Sequence, residues 1–270
     1  MPVVTNRGRD LYYELAGDAA GFPDDADEAP DTRTVAFVNP VGFGAWVWSW
    51  QHGALTGPFE ALVWDLPGTG RSDAPDGPLD VAGLAADFEA VLADAGVAKT
   101  HVVGAGLGSM VAVEYAREYG RAETLALFGT AADGAAVDRD TLASLFAPRD
   151  DPDRLRASLA NAFEADPDAH REVLDRIVDW RAEEDADRTG FDAQAAAMTA
   201  YDADALYGVT TPARVFHGEA DAVVPASAGR DLSEDLPRGE FTAVEGGHLC
   251  FVEESAAVTD ALLGVFDGDG

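Results

Sequence analysis

The chain has 270 residues, of which 47% are hydrophobic and 9% aromatic. This composition supplies a sizeable core and excludes a disordered chain. Fifty Asp and Glu residues against eighteen Lys and Arg residues give a formal net charge of −32. A chain this acidic cannot displace counterions from a nucleic acid or dock on an anionic membrane, so both kinds of partner are excluded.

The acidity has a particular composition. Only one of the cationic residues is a lysine, Lys99, and aspartate outnumbers glutamate by 33 to 17. At low salt, repulsion among these charges opposes a compact state, whereas in molar salt the Debye length shrinks to about 3 Å. We therefore interpret the chain as a protein of a salt-saturated cytoplasm in a halophilic organism; the alternative is an acidic protein of an ordinary cell.

Several other classes of protein are disfavoured. Cys250 is the only cysteine, so the chain forms no internal disulfide and no cysteine zinc site. The segment Met1–Leu11 lacks the apolar stretch of a secretory signal, and no run of 18 apolar residues is present. We expect a cytoplasmic protein that uses no metal and no cofactor and has a small molecule as its substrate or ligand.

The first elements form the edge of a sheet. Two short strands, Val3–Thr5 and Leu11–Leu15, flank a polar turn and predict an edge hairpin. The stretch Gly17–Arg33 is rich in Asp, Ala, Gly and Pro and predicts a solvated surface loop. A buried strand, Thr34–Val38, follows and leads into the glycine-containing loop 39–44 and a tryptophan-rich segment.

Short apolar runs then alternate with longer amphipathic ones. The predicted strands are Leu62–Asp65, Thr100–Val103, Thr124–Phe128, Ala213–Phe216 and Glu240–Val244. The predicted helices are Leu79–Ala95, Ser109–Tyr119, Ala226–Leu236 and Glu254–Phe266. This alternation is typical of an α/β fold with a mostly parallel central sheet flanked by helices.

The pattern changes within residues 134–208. This stretch has no strand-like run and shows helical periods at Leu155–Phe163, Val173–Trp180 and Ala193–Leu206. It is too long for an ordinary connection. We expect a helical cap at 134–208 inserted into one core domain made of residues 1–133 and 209–270.

Three further landmarks follow the loop 39–44 in chain order. They are the turn Asp65-Leu66-Pro67-Gly68-Thr69-Gly70-Arg71-Ser72, the turn Val103-Gly104-Ala105-Gly106-Leu107-Gly108, and the pair His217-Gly218-Glu219-Ala220-Asp221 and Gly246-Gly247-His248. In this order and at this spacing, over essentially the whole chain, they resemble the α/β-hydrolase superfamily. The resemblance implies that family's fold, with a helical cap.

The family's mechanism needs a nucleophile on a strained turn, a histidine base and a carboxylate that orients the base. The resemblance assigns the base to His248 and the carboxylate to Asp221. It places Gly106 where the nucleophilic serine is expected. Glycine tolerates the strained turn but has no side chain with which to form an acyl-enzyme, and some family members with glycine here are non-catalytic.

The oxyanion loop also departs from the family pattern. The usual His-Gly after the central strand is Asn39-Pro40 here. By resemblance, the oxyanion donors are the backbone N–H groups of Val41 and Leu107. Pro40 has no N–H, but the donor is expected one residue later, so the departure is compatible with an intact oxyanion hole.

Two other side chains are candidate nucleophiles. Ser109 lies three residues after the elbow position in the first helical turn, where a packing or capping role is the more common one. Cys250 lies two residues after His248, and free cysteines are usually buried small hydrophobes. The sequence favours the structural interpretation of both, with Ser109 kept as the alternative nucleophile.

Two functional hypotheses follow. In the first, the protein is a hydrolase-type enzyme in which Asp221 orients His248, and His248 activates a water or removes a proton from a small organic substrate. In the second, it is a non-catalytic pseudo-hydrolase that binds a small ligand or a partner. The retained acid–base pair favours the first hypothesis, and Gly106 favours the second.

Overall fold

A computed structural model describes residues 2–17, 34–164 and 171–267. The predicted surface loop therefore lies almost entirely outside the described residues. An eight-stranded sheet forms the centre of the molecule, with the strand order β1-β2-β4-β3-β5-β6-β7-β8. The strands are β1 Val3–Asn6, β2 Arg9–Ala16, β3 Thr34–Val38, β4 Glu60–Trp64, β5 Thr100–Ala105, β6 Ala122–Phe128, β7 Ala213–Gly218 and β8 Gly239–Val244.

The sheet is parallel except at one edge. Strands β1 and β2 form the predicted hairpin, and β2 runs antiparallel to β4. All other neighbouring strands are parallel. Every residue of β3 and β5 is buried, because helices cover both faces of a parallel sheet, and this is why these strands are mostly apolar. The α/β-hydrolase architecture predicted from the sequence is confirmed.

Ten α-helices lie in the described part of the chain. They are α1 Ser49–Leu55, α2 Val81–Asp94, α3 Leu107–Glu118, α4 Arg139–Ser144, α5 Pro152–Ser158, α6 Arg171–Glu184, α7 Arg188–Thr199, α8 Ala226–Asp235, α9 Cys250–Glu253 and α10 Ser255–Phe266. Between the end of β6 and the start of β7, the described residues contain α4–α7 and short 3₁₀ turns but no strand longer than an isolated bridge.

The predicted helix ends differ from the observed ones for local reasons. Helix α2 begins two residues later than the pattern suggested, because the Asp80 carboxylate accepts a hydrogen bond from the Gly83 N–H at 2.6 Å and caps the helix. Helix α3 begins two residues earlier, at Leu107, directly after the elbow glycine. Helix α7 ends at Thr199, so the apolar residues beyond it belong to a loop and a 3₁₀ turn.

The parallel strands place the candidate residues together at the carboxyl ends of the strands. Asn39 follows β3, Gly106 follows β5, Gly129 follows β6, Asp221 follows β7 and His248 follows β8. In open α/β sheets, ligands bind at the carboxyl ends of the strands. The topology therefore brings residues that are up to 209 positions apart in sequence to the same end of the strands.

Candidate active site

The centre of the site is a pair of side chains from the loops that follow β7 and β8. His248 Nδ1 lies 2.9 Å from Asp221 Oδ2. The imidazole is almost completely buried, and the carboxylate is fully buried. Because Nδ1 faces a carboxylate acceptor, it carries the proton, and the lone pair of the neutral imidazole is on Nε2. Nε2 is thus the ring nitrogen of His248 that can accept a proton.

The Asp221 carboxylate is held from both of its oxygens. Its Oδ1 accepts hydrogen bonds from the N–H groups of Val223 at 2.8 Å and Val224 at 3.0 Å. Burial by itself raises the pKa of Asp221, but the charge of His248 and hydrogen bonds from His217 and His248 outweigh it and hold the pKa well below its usual range. The carboxylate therefore stays ionised at neutral pH and is fixed in orientation.

Gly106 forms a sharp turn between β5 and α3. Its φ of 52° and ψ of −116° lie in a region that residues with side chains rarely adopt. A Cβ atom placed on Gly106 would lie 3.4 Å from His248 Nε2 and 3.5 Å from the Cβ of Pro40. The backbone has the geometry of a nucleophile elbow, and the face of the turn where a serine side chain would stand lies against the basic nitrogen of His248.

The neighbouring glycines allow this turn to pack tightly. A Cβ on Gly108 would lie 2.1 Å from the Val38 carbonyl oxygen, and a Cβ on Gly104 would lie 2.5 Å from the Gly108 carbonyl oxygen. A side chain at position 108 would push the start of α3 away from β3, and one at position 104 would push it away from β5. The glycine spacing read from the sequence thus reflects close contact between a helix and two strands.

The loop after β3 is fixed by residues from the segment 134–208. The N–H groups of Gly42 and Gly44 donate to the side chains of Gln194 at 2.8 Å and Asp185 at 3.2 Å. The Trp46 indole N–H donates to the same Asp185 oxygen at 2.8 Å. Each of these contacts joins residues more than 130 positions apart, and no local pattern at Asp185 or Gln194 predicts them.

The two expected oxyanion donors flank the turn. Val41 and Leu107 are both buried, and neither backbone N–H has an acceptor within residues 2–17, 34–164 or 171–267. Leu107 is the first residue of α3, and the first N–H groups of a helix have no partner within the helix. Asn39, in contrast, donates to the Trp64 carbonyl and accepts from the Trp48 indole, so its side chain braces the sheet.

The other candidate nucleophiles have structural contacts. The Ser109 hydroxyl is fully buried and donates to the Gly104 carbonyl at 2.7 Å, while it accepts from the Phe128 N–H at 3.0 Å. These bonds tie α3 to β5 and β6 and favour the packing role over that of a nucleophile. Cys250 is also fully buried, and burial followed by the charge of Asp221 strongly raises the pKa of its thiol, which disfavours a thiolate.

Two residues next to the acid–base pair were not assigned to it from the sequence. Gly129, at the end of β6, has a φ of 52°, and a Cβ there would lie 3.0 Å from Asp221 Oδ2 and 3.1 Å from His248 Nδ1. Glycine here leaves room for the pair. His217 Nε2 lies 3.3 Å from Asp221 Oδ2. The sequence placed His217 on the strand that carries the acid, but gave it no part in the site.

The turn after β4 is fixed by hydrogen bonds to Asp65. The Asp65 carboxylate accepts a hydrogen bond from the Arg71 N–H at 2.9 Å, and the Ser72 hydroxyl donates to the Asp65 carbonyl at 2.7 Å. Burial raises the pKa of Asp65 to about 6.

In the described part of the chain no group of three or more His, Cys, Asp or Glu residues is arranged to hold a metal ion. None of the described helices combines the length and apolar character needed to cross a membrane.

Similar proteins cover the chain from end to end. The chain is 28% identical over 287 residues to a protein of Azorhizobium caulinodans named as a supposed carbamate hydrolase, RutD, with 100% of this chain and 99% of that protein covered. A protein of Variovorax paradoxus with the same name is 28% identical over 264 residues and covers 94% of each chain.

Solved structures agree with this similarity. A hydrolase from Pseudomonas aeruginosa PA01 superposes with a TM-score of 0.79 at 29% identity, covering 98% of this chain and 97% of that one. An enol-lactonase from Burkholderia xenovorans LB400 superposes with a TM-score of 0.83 and covers 98% and 100% of the two chains. At 24% identity, the latter shows a shared fold.

The family profile described as "Alpha/beta hydrolase family" matches residues 35–261. This range begins in β3 and ends in α10, so it contains the elbow turn, the segment 134–208 and the acid–base pair. The chain belongs to the α/β-hydrolase family.

Proposed function

We propose that the protein is a hydrolase-type enzyme that acts on a small organic molecule without a covalent intermediate at the elbow. The observation that carries this proposal is the position of His248. Its Nδ1 contacts Asp221, and its Nε2 lies 3.4 Å from the point where a Cβ of residue 106 would be. We place a water or a substrate atom in the position that a serine side chain would occupy, beside this buried imidazole.

The chemistry follows from these positions. His248 Nε2 takes a proton from a water above Gly106, and the resulting hydroxide equivalent attacks a substrate carbonyl carbon. The carbonyl oxygen gains negative charge and accepts hydrogen bonds from the Val41 and Leu107 N–H groups. The carbon–leaving-group bond then breaks, and the imidazolium returns its proton to the leaving group. Asp221 stabilises the imidazolium throughout.

The rate acceleration available from a general base and an oxyanion hole limits the class of substrate. A positioned general base contributes about 10²–10⁴ in rate, and an oxyanion donor about 10²–10³. Without covalent catalysis, these factors suit a carbonyl that is already reactive, such as a lactone, an activated ester or a carbamate. The name of the Azorhizobium caulinodans relative, a supposed carbamate hydrolase, is consistent with this class. The same base could instead remove a proton adjacent to a carbonyl.

We propose that residues 134–208 serve as the cap of this site. Two contacts support the proposal. Gln194 fixes Gly42 next to the Val41 donor, and the Ala162 carbonyl accepts a hydrogen bond at 3.0 Å from Leu249, next to His248. The segment thus contacts both the loop 39–44 and the loop that carries His248. We further place the enzyme in the cytoplasm of a salt-adapted organism, on the support of its net charge of −32.

The experiment is a comparison of the wild type with His248→Ala and Asp221→Asn in concentrated KCl, on p-nitrophenyl esters, lactones and aryl carbamates. We expect wild-type turnover that His248→Ala abolishes, with no initial burst and no change in intact protein mass during turnover. A serine-directed fluorophosphonate should leave the wild type unlabelled. An adduct on Ser109 would show that the elbow has been assigned incorrectly.

Gly106 supports a second candidate, a non-catalytic protein that binds a small ligand in the same place. Here the Asp221–His248 pair would be a hydrogen-bonded part of a binding pocket. The same assay separates the two: equal rates for the wild type and His248→Ala on every substrate class would contradict the enzyme and support the binder.

A further inference from the structure

A second buried imidazole contacts the carboxylate of the acid–base pair. His217 is the fifth residue of β7, and its side chain is completely buried. Its Nε2 lies 3.3 Å from Asp221 Oδ2, the same oxygen that faces His248 Nδ1 at 2.9 Å. One carboxylate oxygen is therefore shared by two imidazoles.

The other contacts of His217 assign its tautomer. Nε2 lies 2.9 Å from the Val224 carbonyl oxygen, which can only accept a hydrogen bond. The opposite nitrogen, Nδ1, is buried and has no partner among the described residues. A Cβ on Gly229 would lie 2.2 Å from Nδ1, so the backbone of α8 packs directly against it. A proton on Nδ1 would be an unsatisfied buried donor, and the proton therefore resides on Nε2.

This Nε2–H donates to the Val224 carbonyl, and Asp221 Oδ2 lies 3.3 Å from the same nitrogen. Its positive end lies next to the oxygen that orients His248, so it stabilises the ionised carboxylate. It also reduces the negative potential that the carboxylate exerts on His248. The Asp221 Oδ1 contacts with the main chain keep the carboxylate in place, so the effect of His217 is on charge more than on orientation.

Other charged groups near His248 contact the backbone and not the Asp221 carboxylate. Glu253 accepts a hydrogen bond from the Gly247 N–H at 2.7 Å, and Glu164 accepts one from the Gly246 N–H at 3.1 Å. Both act on the backbone before His248. The Cys250 thiol is buried and neutral. None of these groups shares an acceptor atom with the His248 ring.

We propose that His217 is a positioning residue that sets the basicity of His248 through Asp221. The pair thus becomes a three-membered chain, His217–Asp221–His248, in which the first imidazole is a neutral donor. This inference concerns the site of the proposed function, but it does not depend on turnover, because the quantity it changes is the titration of His248.

The test is nitrogen-15 and proton NMR of imidazole-labelled protein in concentrated KCl. In His217→Leu, which removes the donor, we expect the midpoint of the His248 titration to rise. In His217→Gln, which keeps an N–H donor near the same position, we expect it to remain near the wild-type value. An unchanged midpoint in His217→Leu would overturn the proposal.

A matched control is His101→Leu. His101 is also a buried imidazole on a parallel strand, but its Nδ1 contacts Thr124 and its ring stacks on Phe266, away from the site. Its replacement should leave the His248 midpoint unchanged, and an equal rise in this variant would refute a specific role for His217.

A measurement on the wild type keeps the inference falsifiable if the leucine variant does not fold. The nitrogen-15 shifts should show His217 protonated at Nε2 and unprotonated at Nδ1. The opposite tautomer would leave no donor beside Asp221 Oδ2 and would exclude the proposed chain. If the tautomer and the midpoints agree with expectation while no substrate turns over, the inference about His217 stands and the proposed enzyme activity fails.

Discussion

Replacing Gly106 by serine restores the missing side chain of the elbow and tests the geometry of the site most directly. A residue other than glycine at φ 52° and ψ −116° is strained by about 1–3 kcal/mol. The nearest atoms to a new Cβ are His248 Nε2 at 3.4 Å and Pro40 Cβ at 3.5 Å, distances that require little movement. We therefore expect a stability loss of about 1–3 kcal/mol and a melting temperature lower by roughly 2–4 °C for each kcal/mol.

The Gly106→Ser variant should also gain esterase activity. The serine Oγ would stand next to His248 Nε2 and within the reach of the Val41 and Leu107 donors, so a covalent acyl-enzyme becomes possible. We expect p-nitrophenyl acetate hydrolysis to rise by about 10²-fold or more in concentrated KCl. An initial burst and fluorophosphonate labelling at residue 106 should accompany the increase.

Two variants isolate the cause. Gly106→Ala introduces the same backbone strain without a nucleophile, so it should match the serine variant in melting temperature but show no burst and no label. The double variant Gly106→Ser with His248→Ala should lose the gain. If the serine variant folds, yet shows neither labelling nor a faster rate, then the base, the elbow and the two N–H donors do not converge on one point, and the reasoning is wrong.

Three further predictions concern stability. Transfer to dilute buffer should unfold the protein, as followed by circular dichroism, because a net charge of −32 is then unscreened; equal stability at low and molar salt would contradict the halophilic interpretation. Burial raises the pKa of Glu184 to about 7 and that of Asp65 to about 6, so the folded state binds more protons than the unfolded state between about pH 4 and 7, and stability falls as pH rises through this window. Glu184→Gln should therefore flatten the pH dependence of urea unfolding, and an unaltered slope would refute this. Arg181 and Asp185 form a buried ion pair at 2.6 Å, so Arg181→Met should cost about 3–5 kcal/mol in urea unfolding, whereas breaking the exposed pair of the same spacing by Arg188→Met should cost at most about 0.5 kcal/mol; similar losses in both would contradict the role of burial.

Much of the fold could be read from short stretches of sequence. Strand Thr34–Val38 has the predicted bounds, because a strand buried on both faces is apolar over most of its length, here from Val35 to Val38. The glycines at 104, 106 and 108 predicted a tight turn, because only glycine fits the positive φ and the close approach of α3 to Val38. Where prediction missed the ends of helices, a cap or a neighbouring turn decided the boundary, as Asp80 does for α2.

The amino-acid sequence by itself determined the class of fold, the bend at Gly106 and the chain order of Asp221 and His248, since each depends on a local pattern of apolar residues or on the missing side chain of a glycine. Only the tertiary structure decided which side chains support them. Gln194 and Asp185 hold the loop 39–44, and His217 lies next to the carboxylate that faces His248. The first two contacts join segments that are distant in sequence, and that of His217 depends on a bend after β7, so all of them depend on how the sheet and its helices come together in space.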